Sequence, residues 1–186
     1  MTGGISRELR ELSLAAHPLL LRRLQALGVP WSTIAHMGDR HFFGGTSRAI
    51  AIDDGLYAPS CDGAPHLILP VFEDGELVDL VAFTSEQPLA WLLRIGVGWS
   101  LGLLDGFERH SWEPEVRLWA SPLDWLRAGC DGLCVLDWSA PEVINLASLP
   151  SIRCQDHNLA DRLKEALSRP YRLPVITYGE ELRDAA

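Results

Sequence analysis

Two apolar runs separated by Glu73-Asp74-Gly75-Glu76 constrain this chain more than any other feature. Residues 66–72 read His-Leu-Ile-Leu-Pro-Val-Phe and residues 77–83 read Leu-Val-Asp-Leu-Val-Ala-Phe. Asp-Gly supplies the backbone conformations that a two-residue reverse turn needs, so the pair predicts an antiparallel β-hairpin. A further strand is expected at 48–52, and the segment 46–110 reads as a strand-rich unit around the hairpin.

On either side of it the pattern changes. Ile5, Leu9, Leu12 and Ala16 recur at helical spacing, His17-Pro18 interrupts them, and Leu21, Leu24 and Leu27 follow, which predicts two short helices ending at Gly28. A further helical turn is expected from Pro30, and Gly38, Gly44 and Gly45 mark a loop closing a helical N-terminal segment, 1–45. From Val116 onward strand and helix patterns alternate: strands at 116–119, 133–138, 152–154 and 175–178, helices at 122–128, 141–147 and 159–167. Such alternation predicts an α/β fold, with an α+β N-terminal part and a mainly parallel sheet with flanking helices over 111–186. Periodicity does not separate strand from helix over 89–104, which is rich in Trp, Leu and Gly. One compact unit of three successive segments is expected from 186 residues.

Formal net charge is -9, from 25 acidic against 16 basic residues, so the overall field repels nucleic acid and anionic membranes, and any nucleic-acid contact needs a local basic patch. No Lys or Arg occurs from Ala49 to Leu93, whereas Asp53, Asp54, Asp62, Glu73, Asp74, Glu76, Asp79 and Glu86 accumulate there. That acidic middle is a candidate surface for a protein partner. Positive charge gathers at Arg7, Arg10, Arg22 and Arg23 and again around Arg162, Lys164, Arg169 and Arg172. No apolar run approaches the ~20 residues of a membrane span, and the first residues lack a secretory pattern, so a cytoplasmic protein without membrane association is expected. Cys61, Cys130, Cys134 and Cys154 form no C-x-x-C pair, and free thiols are the expectation.

Residues 116–129, Val-Arg-Leu-Trp-Ala-Ser-Pro-Leu-Asp-Trp-Leu-Arg-Ala-Gly, resemble the first motif of Toprim domains, where a strand ends in Glu-Gly and an Asp follows at the start of a helix. Ala120 stands in the place of the glutamate, Ser121 in that of the glycine, and Asp124 matches the Asp. Asp156-His157-Asn158, before a helix, is similar to the family's Asp-x-Asp, with Asn158 in place of the second acid. The hairpin and the helix at 24–36 are similar to the segments before Toprim in bacterial-type primase catalytic cores. The resemblance implies a degenerate primase-like protein of a phage or mobile element. It would act in DNA replication, binding single-stranded nucleic acid or replication proteins. Phosphoryl transfer of this kind needs carboxylates on Mg²⁺ and an acid or base at the reacting oxygen. Ala120 supplies neither, so catalysis is not expected. Asp124 and Asp156 remain as candidate ligands for a weakly held Mg²⁺, and Arg162, Lys164 and Arg169 as candidate nucleic-acid contacts.

The same acids fit ordinary helix-start grammar. Ser121-Pro122-Leu123-Asp124 places a cap, a first-turn Pro and an acid in order, and Asp156 precedes the Leu159, Leu163, Leu167 stripe as a cap would. His36, Asp39 and His41 form a further candidate metal group without an evident additional ligand. Gly96, Gly98 and Gly102 lack the spacing of a dinucleotide fingerprint. Trp119, Trp125 and Trp138 lie on or beside core elements, where an indole N–H reaching a partner is expected. An acidic α/β protein-interaction module with no nucleic-acid role is the alternative reading.

Overall fold

The computed structural model describes residues 3–14, 18–39, 44–52, 55–104 and 107–168. Three helices open the chain: α1 (Gly3–Leu14), α2 (Pro18–Ala26) and α3 (Trp31–Asp39). The chain leaves α2 through a left-handed Gly28 (φ 85°), and the N–H of Val29 returns to the carbonyl of Leu24 at 3.0 Å. This Schellman-type stop turns Val29 into the core and points the chain into α3.

Five antiparallel strands follow in the order β2-β1-β3-β4-β5: β1 (Gly45–Ala51), β2 (Tyr57–Pro59), β3 (Ala64–Glu73), β4 (Glu76–Phe83) and β5 (Trp91–Leu93). The β3–β4 hairpin is as the sequence predicts. Glu73 pairs with Glu76 across a loop of Asp74 (φ 49°) and Gly75 (φ 80°), both left-handed, as a type I′ turn requires. Successive residues face opposite sides of the sheet. Ile68, Leu80 and Ala82 join Ala49 and Tyr57 beneath α1, anchored by Ile5. Leu67, Leu69, Val71, Val81 and Phe83 face the other way, into a core with Leu20 and Leu24 of α2 and Ile34 and Met37 of α3. Two helical layers thus enclose the sheet, which explains why β4 reads as a near-continuous apolar run.

The rest of the chain is β6 (Ser100–Leu101), α4 (Phe107–Ser111), β7 (Val116–Leu118), α5 (Pro122–Arg127), β8 (Cys134–Val135), a 3₁₀ helix (Pro141–Ser148), β9 (Ile152–Cys154) and α6 (His157–Leu167). Here the expectation of a mainly parallel sheet is corrected. The largest sheet is antiparallel, and regular parallel pairing is confined, among the described residues, to β7 with β9, three residues each. A single parallel bridge, Leu118 to Leu133, flanks them. The expected strand 133–138 shortens to Cys134–Val135 and pairs antiparallel with β6, because the segment the sequence left unassigned supplies the neighbour. The carbonyl of Trp99 accepts from Leu136 N at 2.7 Å and from Asp137 N at 3.2 Å, bending the chain off the strand.

Residues 141–147 were expected as an α-helix and are 3₁₀ instead. Buried Val143, Leu146 and Leu149 recur every third residue, the repeat of a 3₁₀ helix rather than of an α-helix. The expected strand 175–178 lies outside the described residues. A second core unites Trp99, Val116, Leu118, Leu133, Trp138, Leu146, Leu159 and Leu163. No helix among the described residues is long and apolar enough to cross a membrane.

Candidate functional site

The chain segments singled out by the family resemblance run side by side at the C-terminal ends of β7 and β9, where Ala120 meets Gln155. Register pairs Val116 with Ile152 and Leu118 with Cys154. Gln155 N donates to the Leu118 carbonyl at 2.9 Å, and Ala120 N donates to Gln155 Oε1 at 2.9 Å. On its other flank β7 is held by Trp119 N to the Leu133 carbonyl and Leu133 N to the Arg117 carbonyl, both at 2.9 Å. β7 is therefore the middle of three co-directional segments, and Ala120 and Asp156 stand two residues beyond its end and that of β9.

Both candidate acids are engaged with helix starts. Ser121, buried and extended (φ -145°, ψ 157°), caps α5. Its Oγ accepts from Asp124 N at 3.1 Å and donates to Asp124 Oδ2 at 2.7 Å. Arg127 donates to Asp124 Oδ1 at 3.1 Å, so both carboxylate oxygens are occupied. Ser121 and Asp124 thus bond each other twice across the first turn, the second bond joining the two side chains where a capping box would use the Ser121 N–H. Asp156 (φ -147°, ψ 176°) caps α6, its Oδ1 accepting from Leu159 N at 2.8 Å. Asn158 is exposed. Among the described residues no group of three or more His, Cys, Asp or Glu side chains is placed to hold a metal ion.

The basic candidates diverge. Arg162 and Lys164 are two apart on α6, so they leave opposite sides of the helix. Arg162 lies 4.8 Å over the ring of Trp138, and Lys164 pairs with Asp161 at 3.1 Å. Arg169 lies outside the described residues, as does His41; His36 is exposed on α3, and Asp39 ends that helix. The indoles of Trp119 and Trp125 behave as expected: Trp119 Nε1 donates to the Asp131 carbonyl at 2.6 Å and Trp125 Nε1 to the Gly132 carbonyl at 3.1 Å. Together they fix the turn that feeds β8. Gly132 (φ 76°) is required there, since a Cβ would collide with the Arg117 carbonyl.

The acidic middle is not a single solvated surface. Asp53 and Asp54 lie outside the described residues, and Asp62, Asp74, Glu76 and Glu86 are exposed. Asp79 is wholly buried. Its Oδ1 accepts from the N–H groups of Leu80, Arg94 and Ile95 at 2.7, 3.0 and 3.0 Å, and Oδ2 from Val97 and Gly98 at 2.8 and 3.2 Å. Five donors compensate the desolvation of one carboxylate and mould residues 94–98. Glu73 Oε1 accepts the next N–H, from Trp99, at 3.3 Å. Burial pushes the Glu73 carboxyl above its ordinary range, opposed by that hydrogen bond. These contacts deliver the chain to β6 and so to the second core.

A second polar knot holds α1 to the sheet. Glu8 accepts from the buried Tyr57 hydroxyl at 3.2 Å and from Arg94 Nε at 2.8 Å, and the Arg94 guanidinium lies 5.7 Å above the Tyr57 ring. Burial, then the nearby Glu8 charge, raises the Tyr57 phenol well above its usual value. The sequence reading missed Asp79 and this knot. The signal available was an acid in the middle of Leu77-Val78-Asp79-Leu80-Val81, where burial demands compensation.

Compared with known protein families, curated proteins and solved structures, the chain has no match.

Proposed function

We propose that the C-terminal part is a Toprim-like unit without phosphoryl-transfer chemistry, and that the protein acts in nucleic-acid metabolism as a binding or replication-accessory factor. The observation that carries the reading is the side-by-side exit of β7 and β9, with Ala120 and Asp156 just past the strand ends and Asp124 in the first turn of the helix that follows β7. Open α/β sheets place ligands outside the carboxyl ends of their strands, and this is such an edge. Ala120 leaves no group there to donate or accept a proton, and both Asp side chains already serve helix starts. What remains is binding, with any Mg²⁺ held weakly by the unengaged Asp156 carboxylate oxygen and water.

The test is anisotropy of a labelled oligothymidylate at low and moderate salt, with and without Mg²⁺. The reading expects binding that weakens as salt rises and that falls further in Arg162→Glu or Lys164→Glu. Complete absence of salt-dependent binding would sink it.

A second reading, an acidic protein-interaction module, is favoured by the divergence of Arg162 and Lys164 and by the exposure of Asp74 and Glu76 at the hairpin tip. Recovery of the same partners by wild type and by Asp74→Lys/Glu76→Lys would rule out that surface.

A further inference from the structure

β7 holds β9 along one edge. The Ser151 carbonyl accepts from Val116 N and Gln155 N donates to the Leu118 carbonyl, both at 2.9 Å, so the backbone groups of Arg153, between them, also lie toward β7. Backbone groups alternate between the two edges of a strand, which turns those of Ile152 and Cys154 to the opposite edge. There they have no backbone partner among the described residues. The side chains tell the same story. Ile152 and Cys154 are half-buried at the margin of the second core, as are Ala166 and Leu167 in the last turn of α6. That core is thus incompletely covered along β9 and the end of α6, beside a strand edge open to a further strand.

The chain itself selects the occupant. Val116 and Leu118 of β7 face the second core, whereas Arg117 and Arg153 are exposed on the other side, so the small parallel sheet is covered on one face. The 3₁₀ helix that leads into β9 fills that core with Val143, Leu146 and Leu149, and α6 that leaves β9 fills it with Leu159 and Leu163. Both connections therefore run over the same face. Crossovers between parallel strands are right-handed. Two in succession over one face carry the chain in one direction across a sheet, so a strand following α6 falls on the edge of β9 away from β7, the open one. The sequence after α6 suits that place. Val175, Ile176, Thr177 and Tyr178 are strand formers, and Pro174 before them stands where a strand tolerates proline. Residues 169–174 can span up to ~20 Å, more than the ~10 Å between packed layers.

We propose that residues 175–178 dock as a strand parallel to β9, hydrogen-bonded to Ile152 and Cys154, with Ile176 and Tyr178 on the face that covers the rim. A tethered segment outcompetes a second copy of the chain for this edge, because its effective concentration is far higher. The docked strand would leave the sheet beside Asp156 and widen the edge that carries the candidate site. The docking does not depend on the functional reading above.

The experiment is NMR of the full chain, reading cross-strand nuclear Overhauser effects and amide exchange. Residues 152–154 should show parallel-strand contacts to 175–178, and the Ile152 and Cys154 amides should be protected whatever the protein concentration. Ile176→Pro breaks the docked strand and should lower protection at Cys154 about tenfold, the scale of one ladder hydrogen bond. Leu133, on the far side of β7, should keep its protection in that variant. Should the variant fail to fold, the wild-type contacts decide. Contacts from 175–178 to a different strand, or Ile152 and Cys154 amides exchanging as freely as exposed ones, overturn the proposal. So does protection at Cys154 that survives Ile176→Pro, or that rises with protein concentration, the mark of a second copy on this edge.

Discussion

Asp79 Oδ2 accepts the N–H of Val97 at 2.8 Å, joining the middle of β4 to a loop eighteen residues further along the chain. With the four other N–H groups on the same carboxylate, this contact is the template for residues 94–98. Asp79→Asn keeps the shape but turns an amide N–H₂ toward backbone donors. The expected cost is about 3 kcal/mol, from weakened charge-assisted bonds and unsatisfied donors. Urea denaturation measures it, and loss of amide-exchange protection at Val97 and Gly98 ahead of the β3–β4 hairpin would localise it. A change below about 0.5 kcal/mol would contradict the clamp.

Asp156 supplies a cap at the start of α6 through one oxygen. Asp156→Ala should cost about 1 kcal/mol, and Asp156→Ser should recover most of it, because a serine hydroxyl caps as well as a carboxylate. A metal ligand would behave otherwise, since serine replaces a carboxylate poorly on Mg²⁺. Thermal melts of both variants with and without Mg²⁺ separate the roles.

Burial raises the Glu73 carboxyl, which fixes the sign of its contribution to stability. Between the unfolded value and the raised folded one, the folded chain holds the proton more tightly, so stability falls as pH rises through that window. Glu73→Gln removes this dependence while its amide oxygen still accepts from Trp99. Subtracting the variant's urea midpoints from those of wild type across the acid range should give a difference that declines with rising pH. A flat or rising difference would show that the environment of Glu73 is misassigned.

The cysteines are free thiols with unequal access. Burial pushes Cys130 up to about 12 and raises Cys134 further, whereas Cys61 is exposed. At pH 8 only roughly one part in 10⁴ of Cys130 is thiolate. A disulfide-exchange reagent should therefore label Cys61 fast and Cys130 and Cys134 only upon unfolding. Mass spectrometry of labelled peptides reads this directly, and rapid labelling of Cys134 would be incompatible with its buried place on β8.

Legibility from sequence followed the range of the forces involved. The hairpin was readable because Asp74-Gly75 writes its own turn chemistry, and α5 and α6 because Ser121, Pro122 and Asp156 announce their starts. Residues 89–104 were not, because β5 and β6 are three and two residues long and take their conformation from carboxylates at Asp79 and Glu73 and from pairing with β8. The expected parallel sheet failed for the same reason: alternation of strand and helix patterns does not reveal that β8 takes its partner from the preceding segment. At the candidate site the sequence located Ala120, Asp124 and Asp156 but did not show Gln155 bridging to Ala120 N.

The pairing of β6 with β8 has a consequence for any attempt to divide the molecule. A fragment ending at residue 110 carries Ser100 and Leu101 without Cys134 and Val135, and the complementary fragment has the opposite lack. Each half would present an open strand edge and part of the Trp99–Val135 core. Mixed together, the halves have cause to find one another, so co-expression of the two pieces should restore solubility that neither piece has alone.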